Sequence, residues 1–138
     1  MKIYLSGSIR GGRELEKTYA LIHNHLINRG HKVLAEHVAS PNVLDIESNI
    51  SEEDIYLQDV KWLNICDAII AEVSVSSTGV GFEIAYALER AKPVLAVYEQ
   101  TRKISAMIKG NTSPTLFLYG YNGDEDLINI LNEFLDGL

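Results

Sequence analysis

The sequence predicts a doubly wound α/β fold, in which helices cover both faces of an open parallel sheet. Short apolar runs alternate along the chain with segments of helical periodicity, which is the order of strands and helices in such folds. The run "DAIIAEV" (67–73) is continuously apolar, as is typical of a strand that is buried on both faces of a parallel sheet. Because 138 residues is about the length of one domain, we expect a single domain over residues 1–138.

The expected elements follow one another along the whole chain. The predicted strands cover residues 2–6, 31–38, 67–73, 92–99 and 114–121. The predicted helices run from Leu15 to about Gly30, from an N-cap at Ser51 to about Asn64, over 82–91 and over 124–138. We expect a loop over 39–50, which contains a proline, and a short helix or excursion over 103–110. This order predicts a flavodoxin-like three-layer sandwich with a five-stranded parallel sheet.

Composition and charge exclude several classes of function. The net charge of −7 with scattered basic residues argues against binding a nucleic acid polymer. No apolar run is long enough to span a bilayer and no secretory signal is evident, so we expect a cytoplasmic protein without a membrane partner. The single cysteine, Cys66, is expected to be a small buried apolar residue. The four histidines show no ligand spacing, so we infer no metal and no cofactor.

The glycine-rich segment "GSIRGG" (7–12) follows the first predicted strand. It matches neither the dinucleotide-binding nor the triphosphate-binding glycine motif. It does place Ser8 and Arg10 before a helix N-terminus, where free N–H groups attract anions. An anion site and a plain tight turn both remain open from this segment alone.

Two carboxylates occupy positions at which a charge needs an explanation. Asp59 lies in the middle of the apolar arc of the second helix, so it either has a fixed hydrogen-bond partner or lines a pocket. Glu83 lies at the edge of an apolar stripe, in the first turn of the predicted helix 82–91, where a surface glutamate stabilised by the helix dipole is the alternative.

Topology predicts that these groups meet at the carboxyl edge of the sheet. There the ends of the first and third strands lie side by side, which brings together the first loop and Glu83. Tyr4 points to the face opposite Ile3 and Leu5, so its hydroxyl can reach a site carboxylate or can belong to the core. Two carboxylates beside an anion-binding loop favour cleavage of a glycosidic bond in a phosphorylated sugar.

Six segments in register make the chain similar to a known family. They are "YLSGSIRGG", "EHV", "QDVKWL", "DAIIAEV", "GVGFE" and "ISAMIKG", and together they extend from about residue 2 to residue 110. Their order and spacing closely resemble the 2′-deoxynucleoside 5′-phosphate N-hydrolases, within the nucleoside 2-deoxyribosyltransferase superfamily. The resemblance implies a flavodoxin-like fold and hydrolysis of 2′-deoxynucleoside monophosphates to a free base and 2-deoxyribose 5-phosphate.

The resemblance also implies roles for the catalytic residues. Glu83 would be the nucleophile that attacks the anomeric carbon, and water would resolve the glycosyl-enzyme with net retention. Tyr4 would orient Glu83, and Asp59 would hold the sugar and assist the departing base.

The substrate-binding residues come from the same resemblance. The 5′-phosphate would be bound by Ser8, Arg10, Ser77 and Ser105. Ser105 and Met107 would reach the site from the other subunit of a homodimer, while Ile9 and His37 would border the base. The expected substrate-binding set is completed by Ser6, Gly7, Gly11, Tyr19 and Gly79.

Three alternatives to this function remain open. A nucleoside deoxyribosyltransferase would use the same intermediate and pass the sugar to a second base. Relatives that hydrolyse CMP share most of the scaffold, so a ribonucleotide N-glycosidase is the second alternative. A nucleotide-binding sensor that retains the fold and the loop without catalysis is the third.

Overall fold

One parallel sheet of five strands organises the protein, and its strand order is β2-β1-β3-β4-β5. The structure is a computed structural model that describes residues 1–10 and 12–138. The strands are β1 (Lys2–Ser6), β2 (Lys32–Leu34), β3 (Ala68–Glu72), β4 (Val94–Glu99) and β5 (Leu116–Tyr121). Strand β1 lies between β2 and β3, with Tyr4 paired to Leu34 on one side and to Ile69 on the other. The order is the flavodoxin-like one, which confirms the predicted fold class.

Helices cover both faces of this sheet. They are α1 (Glu16–Asn28), α2 (Val43–Ser48), α3 (Glu52–Ile65), α4 (Thr78–Leu88), α5 (Ala106–Lys109) and α6 (Asp124–Asp136). On one face Tyr4 and Ile69 pack with residues of α3, α4 and α5, whereas on the other face Ile3 and Leu5 pack with α1 and α6. Tyr4 therefore faces away from Ile3 and Leu5, as the alternation of a strand requires.

Local side-chain bonds explain where the two site helices begin. The Ser51 hydroxyl oxygen accepts a hydrogen bond from the Asp54 amide (3.1 Å) and starts α3, as predicted. The Ser77 hydroxyl oxygen accepts one from the Val80 amide (3.4 Å) and starts α4. Helix α4 therefore begins at Thr78, four residues earlier than predicted, and this places Glu83 in the second turn rather than the first.

The segment after β2 differs most from the expectation. Strand β2 ends at Leu34, because Ala35 adopts a left-handed conformation (φ 58°) and the chain continues as a short 3₁₀ helix, Glu36–Ala39. His37 is thus helical, and its prediction within a strand is wrong. The predicted loop over 39–50 contains helix α2, whose residue Val43 is wholly buried.

Two smaller expectations have clear outcomes. Cys66 is a buried free thiol, as predicted. Tyr56 of α3, although aromatic, is 53% exposed, because that part of α3 borders a cleft and not the core. Within residues 1–10 and 12–138, no helix has the length and apolar character that crossing a membrane requires.

The cap of α3 gives a test of this local account. Ser51→Ala removes the acceptor of the Asp54 amide, so we expect the free energy of unfolding to fall by about 1 kcal/mol. Urea denaturation of the wild type and the variant measures the change. The control is Ser48→Ala, whose exposed hydroxyl bonds only to the Asp45 carbonyl inside α2. Equal stability of the Ser51 variant and the control would contradict the capping role.

Candidate active site

Glu83 is held at both of its carboxylate oxygens by residues of β1. The Tyr4 hydroxyl donates a hydrogen bond to Oε1 (2.9 Å), and the Ser6 hydroxyl donates one to Oε2. Tyr4 and Ser6 are two residues apart on one strand, so both side chains lie on the same face of the sheet. The carboxylate is therefore fixed in position and in rotation, which is the preorganisation that a reacting group needs.

A cleft of about 520 Å³ opens at the carboxyl edge of the sheet beside Glu83. It lies between the first loop, helix α2 and the facing parts of α3 and α4. The lining residues are Gly7, Ile9, Arg10, Glu47, Glu52, Ile55, Tyr56, Asp59, Ser76, Ser77, Thr78, Gly79, Val80 and Glu83. The cleft lies at the switch point between β1 and β3, where sheets of this order bind their ligands.

Asp59 projects from α3 into the same cleft, which resolves the anomaly seen in the sequence. Burial and, second, the nearby charge of Glu47 together raise the pKa of Asp59 to about 6. Burial likewise raises the pKa of Glu83 to about 7, although the hydrogen bonds from Ser6 and Tyr4 oppose the change. Burial and the charge of Glu83 raise the pKa of Tyr4 well above its usual value, so Tyr4 remains a donor.

The first loop packs against Tyr19 and Val38, two side chains that come later in the chain. A side chain at Gly7 would put its Cβ 2.9 Å from Tyr19 Cε1 and 3.0 Å from Val38 Cγ1, so this position requires glycine. The Tyr19 hydroxyl accepts a hydrogen bond from the Ser8 amide (3.1 Å) and is wholly buried. Tyr19 thus contacts the loop and does not line the cleft. Gly11, which belongs to the predicted set, lies outside the described residues.

Arg13 is a loop support that sequence reasoning missed. Its guanidinium donates to the carbonyl oxygens of Ser8 (3.1 Å), Val38 (2.8 Å) and Ser40 (2.9 Å). These bonds tie the first loop to the 3₁₀ helix. The sequence gives no signal for these contacts, because Val38 lies 25 positions and Ser40 lies 27 positions after Arg13 along the chain.

The wall formed by α4 is suited to an anion. Ser77, Thr78 and Gly79 line the cleft at the N-terminus of an 11-residue helix, where backbone N–H groups and the positive end of the helix dipole favour negative charge. The Ser77 oxygen accepts from Val80, which leaves its hydroxyl hydrogen free to donate. Ser8 is also buried, and its hydroxyl oxygen has no hydrogen-bond partner in the described part of the chain.

The wall that α2 and α3 build is acidic. Glu47, Glu52 and Asp59 line it, and Arg10 lies between the first two, 3.9 Å from Glu47 and 3.3 Å from Glu52. Arg10 is therefore paired with carboxylates in this structure. Sequence reasoning also missed Glu47. Its four-residue spacing from Val43 puts both side chains on one helix face, but one such pair is too short a pattern to predict a helix from the sequence.

The remaining predicted residues lie at different distances from the cleft. Ile9 lines it, whereas His37 lines a separate depression and lies 3.5 Å from Glu47, which does line the cleft. Ser105 and Met107 line a neighbouring cavity of about 550 Å³, which shares Ser77 and Thr78 with the cleft. In the described residues, no three side chains of His, Cys, Asp or Glu are grouped as a metal site would need.

The fold and the cleft together define a class: an α/β protein whose sheet edge presents a fixed carboxylate in a cleft that also contains a second carboxylate and a helix N-terminus. Residues 3–126 match the family model described as nucleoside 2-deoxyribosyltransferase. The chain belongs to this family, and the resemblance inferred from the six segments is confirmed.

Individual relatives extend this result over nearly the whole chain. A Methanosarcina mazei protein, provisionally named 2′-deoxynucleoside 5′-phosphate N-hydrolase 1, is 43% identical over 136 residues, covering 99% of this chain and 84% of the relative. The 5-hydroxymethyl-dUMP N-hydrolase of Rattus norvegicus is 36% identical over 97% of this chain and 84% of its own length. The solved structure of a Clostridium botulinum CMP N-glycosidase has the same fold, with a TM-score of 0.70, 19% identity and coverage of 96% of this chain and 99% of the other.

The raised pKa of Glu83 predicts a specific pH dependence of stability. Between its usual pKa, near 4.5, and about 7, the folded state retains a proton that the unfolded state has lost, so Glu83 lowers the free energy of unfolding as the pH rises through this window. Glu83→Gln removes this cost and can keep the bond from Tyr4. We expect the variant to gain about 3 kcal/mol over wild type at pH 8 and nothing at pH 4.

Urea denaturation at both pH values measures the difference. Glu89→Gln, an exposed change just after α4, serves as the control and should show no such trend. A gain that is the same at pH 4 and pH 8 would contradict the raised pKa.

Proposed function

We propose that this protein hydrolyses the N-glycosidic bond of 2′-deoxynucleoside 5′-monophosphates and releases a free base and 2-deoxyribose 5-phosphate. The observation that supports this most is the carboxylate of Glu83, which Tyr4 and Ser6 fix at both oxygens beside a cleft that also contains Asp59. The names of the M. mazei and rat relatives, a deoxynucleoside 5′-phosphate N-hydrolase and a 5-hydroxymethyl-dUMP N-hydrolase, support the same reaction class.

In the proposed first step, Glu83 is the nucleophile. One carboxylate oxygen attacks C1′ of the sugar, the C1′–N bond breaks, and the base leaves with the electron pair and accepts a proton. The missing 2′-hydroxyl eases this step, since no electron-withdrawing oxygen lies beside the developing cation. Tyr4, which remains protonated, keeps the attacking carboxylate in place.

In the second step, water attacks C1′ of the glycosyl-enzyme and Glu83 leaves as a carboxylate, with net retention at C1′. Asp59 serves both steps, as a proton donor to the base and then as a base for the water. The two carboxyl groups have raised pKa values and lie near one another, so they resist ionising together. The reactive state has Glu83 ionised and Asp59 protonated; it is the less populated of the two singly ionised states, because the pKa of Asp59 (about 6) is below that of Glu83 (about 7).

The two walls of the cleft orient the substrate. The amide groups and the Ser77 hydroxyl at the start of α4 attract the 5′-phosphate, whereas the carboxylates of Glu47 and Glu52 repel it from the acidic wall. With C1′ over Glu83 and the phosphate toward α4, the base lies along α2 and α3. Ile9 borders the base, whereas Ser8 is wholly buried and does not line the cleft, so its predicted phosphate contact would require the first loop to move.

We further propose a homodimer in which Ser105 and Met107 of one subunit complete the site of the other. Met107 is 80% exposed, and the cavity that it lines with Ser105 adjoins the cleft at Ser77. An exposed methionine beside an anion-binding wall suits burial by a second copy of the chain. Cytoplasmic localisation is part of the same proposal and agrees with the free thiol of Cys66.

Base release tests the proposed reaction directly. The purified protein is incubated with each common 2′-deoxyribonucleoside and ribonucleoside monophosphate, and free base is measured by chromatography. We expect release from at least one deoxyribonucleotide and a loss of at least about 10³-fold in kcat for Glu83→Gln, because the neutral amide cannot form the glycosyl-enzyme. Glu89→Gln, remote from the cleft, should keep wild-type activity.

Other outcomes of this experiment select the alternatives. Base release restricted to CMP would indicate a ribonucleotide N-glycosidase. Appearance of dAMP from dGMP plus excess adenine would indicate a deoxyribosyltransferase. No base release from any monophosphate, with nucleotide binding retained, would support the sensor and refute the hydrolase.

The shared site makes a separate prediction. Ser105→Ala removes one phosphate donor, so we expect KM for the best monophosphate to rise about tenfold with little change in kcat. Steady-state kinetics measure both constants, with the exposed Ser48→Ala as control. Mixing inactive Glu83→Gln with an excess of Ser105→Ala should yield hybrid dimers with one wild-type site. An unchanged KM in the Ser105 variant would contradict the contact.

A further inference from the structure

Glu47 is a buried carboxylate whose hydrogen-bonding capacity the proposed reaction does not use. It is only 7% exposed, although it lies on α2 in the connection after β2 and lines the cleft. Glu52, on the same wall, has an 87% exposed side chain. A carboxylate that loses most of its contact with water needs hydrogen-bond donors to replace the water. The donors around Glu47 therefore indicate the function of this side chain.

The partners that the described residues supply are incomplete. The nearest cations are His37, whose Nε2 lies 3.5 Å from Oε1, and Arg10, whose Nε lies 3.9 Å from Oε2. Both distances exceed the usual 2.7–3.2 Å of an N–H···O hydrogen bond. Burial also lowers the pKa of His37, so its imidazole is mostly neutral near pH 7. Glu47 thus keeps acceptor capacity, at the surface of a cleft sized for a small molecule.

The position of Glu47 determines which part of a nucleotide it can meet. It lies on the acidic wall that α2 and α3 build, with Asp59, whereas the start of α4 lines another part of the cleft. A phosphate is repelled there, and the sugar is held at Glu83. The nucleobase is the remaining part, and the edges of nucleobases carry N–H groups that donate to a carboxylate.

We propose that Glu47 is the specificity-determining residue for the base: its carboxylate accepts a hydrogen bond from an N–H group on the edge of the nucleobase. This inference rests on the proposed function. His37 and Arg10 would hold the carboxylate from the protein side, with Arg10 closing the mouth of the cleft next to Glu52. Ile55 and Ile9 would contact the faces of the base.

The experiment pairs a change in the protein with a change in the substrate. The two substrates are dAMP and its analogue with unsubstituted purine, which has hydrogen in place of the amino group; if the protein prefers pyrimidines, the pair is dCMP and its 2-pyrimidinone analogue. kcat/KM for base release is measured with wild type, Glu47→Gln, Glu47→Leu and the control Glu53→Gln. Glu53 is exposed on the first turn of α3 and is not part of the cleft wall.

We expect Glu47→Leu to lose about tenfold or more in kcat/KM on the amino-bearing substrate and much less on its analogue, since a hydrogen bond to a charged group is worth that much. Glu47→Gln, which keeps one acceptor oxygen, should lose an intermediate factor. For the control Glu53→Gln, the ratio of kcat/KM on the amino-bearing substrate to kcat/KM on its analogue should equal that of the wild type.

Equal losses on both substrates would refute the inference and leave the proposed function standing, since Glu47 would then only support Arg10, His37 or Asp59. Absence of base release by wild type from every monophosphate would refute both. If Glu47→Leu does not fold, the result for Glu47→Gln is used by itself. A ratio of kcat/KM between the two substrates that equals the wild-type ratio then refutes the inference.

Discussion

The contact between Glu83 and the strand residues Tyr4 and Ser6 is the constraint on which the site depends. Glu83 is separated along the chain from Tyr4 by 79 positions and from Ser6 by 77. The contact requires β1 and β3 to be neighbours, so that the helix after β3 passes over the end of β1. A buried carboxylate is costly unless it is hydrogen-bonded, and two hydroxyl donors offset that cost. The same bonds leave the carboxylate fixed at the edge of the cleft, with a pKa that burial keeps near 7.

A second buried carboxylate supports the loop between β3 and α4 from the other face of the sheet. Glu72, wholly buried at the end of β3, accepts hydrogen bonds from the Ser74 amide and hydroxyl and from the Tyr121 hydroxyl (3.3 Å). Ser74 in turn accepts from the Glu99 amide (2.7 Å). This network fixes the start of the segment that ends at the Ser77 cap. The network around Glu72 thus positions the N-terminus of α4, whereas Tyr4 and Ser6 of β1 hold Glu83 in the second turn of the same helix.

The elements whose sequence signal is local were predictable. Strand order, the cap at Ser51 and the unusual setting of Asp59 all follow from periodicity or from a charge in an apolar arc. Helix α2 was missed because six residues are too few to show a helical period, and with it Glu47 was missed. Strand β2 ends at the left-handed Ala35, and the sequence does not predict this conformation because alanine rarely adopts it. Tyr19 and Arg13 contact the loop through tertiary packing that the sequence does not encode locally.

Covalent trapping on Glu83 tests the central claim most directly. Wild-type protein is mixed with its best 2′-deoxynucleoside monophosphate, quenched in acid during turnover, digested and mapped by mass spectrometry. The account predicts a 2-deoxyribose 5-phosphate ester on the peptide that contains Glu83. In a Tyr4→Phe variant that has lost activity, the account predicts no ester on this peptide. An ester on the Asp59 peptide, or rapid base release with an inverted sugar product and no ester anywhere, would contradict the assignment of Glu83 as the nucleophile.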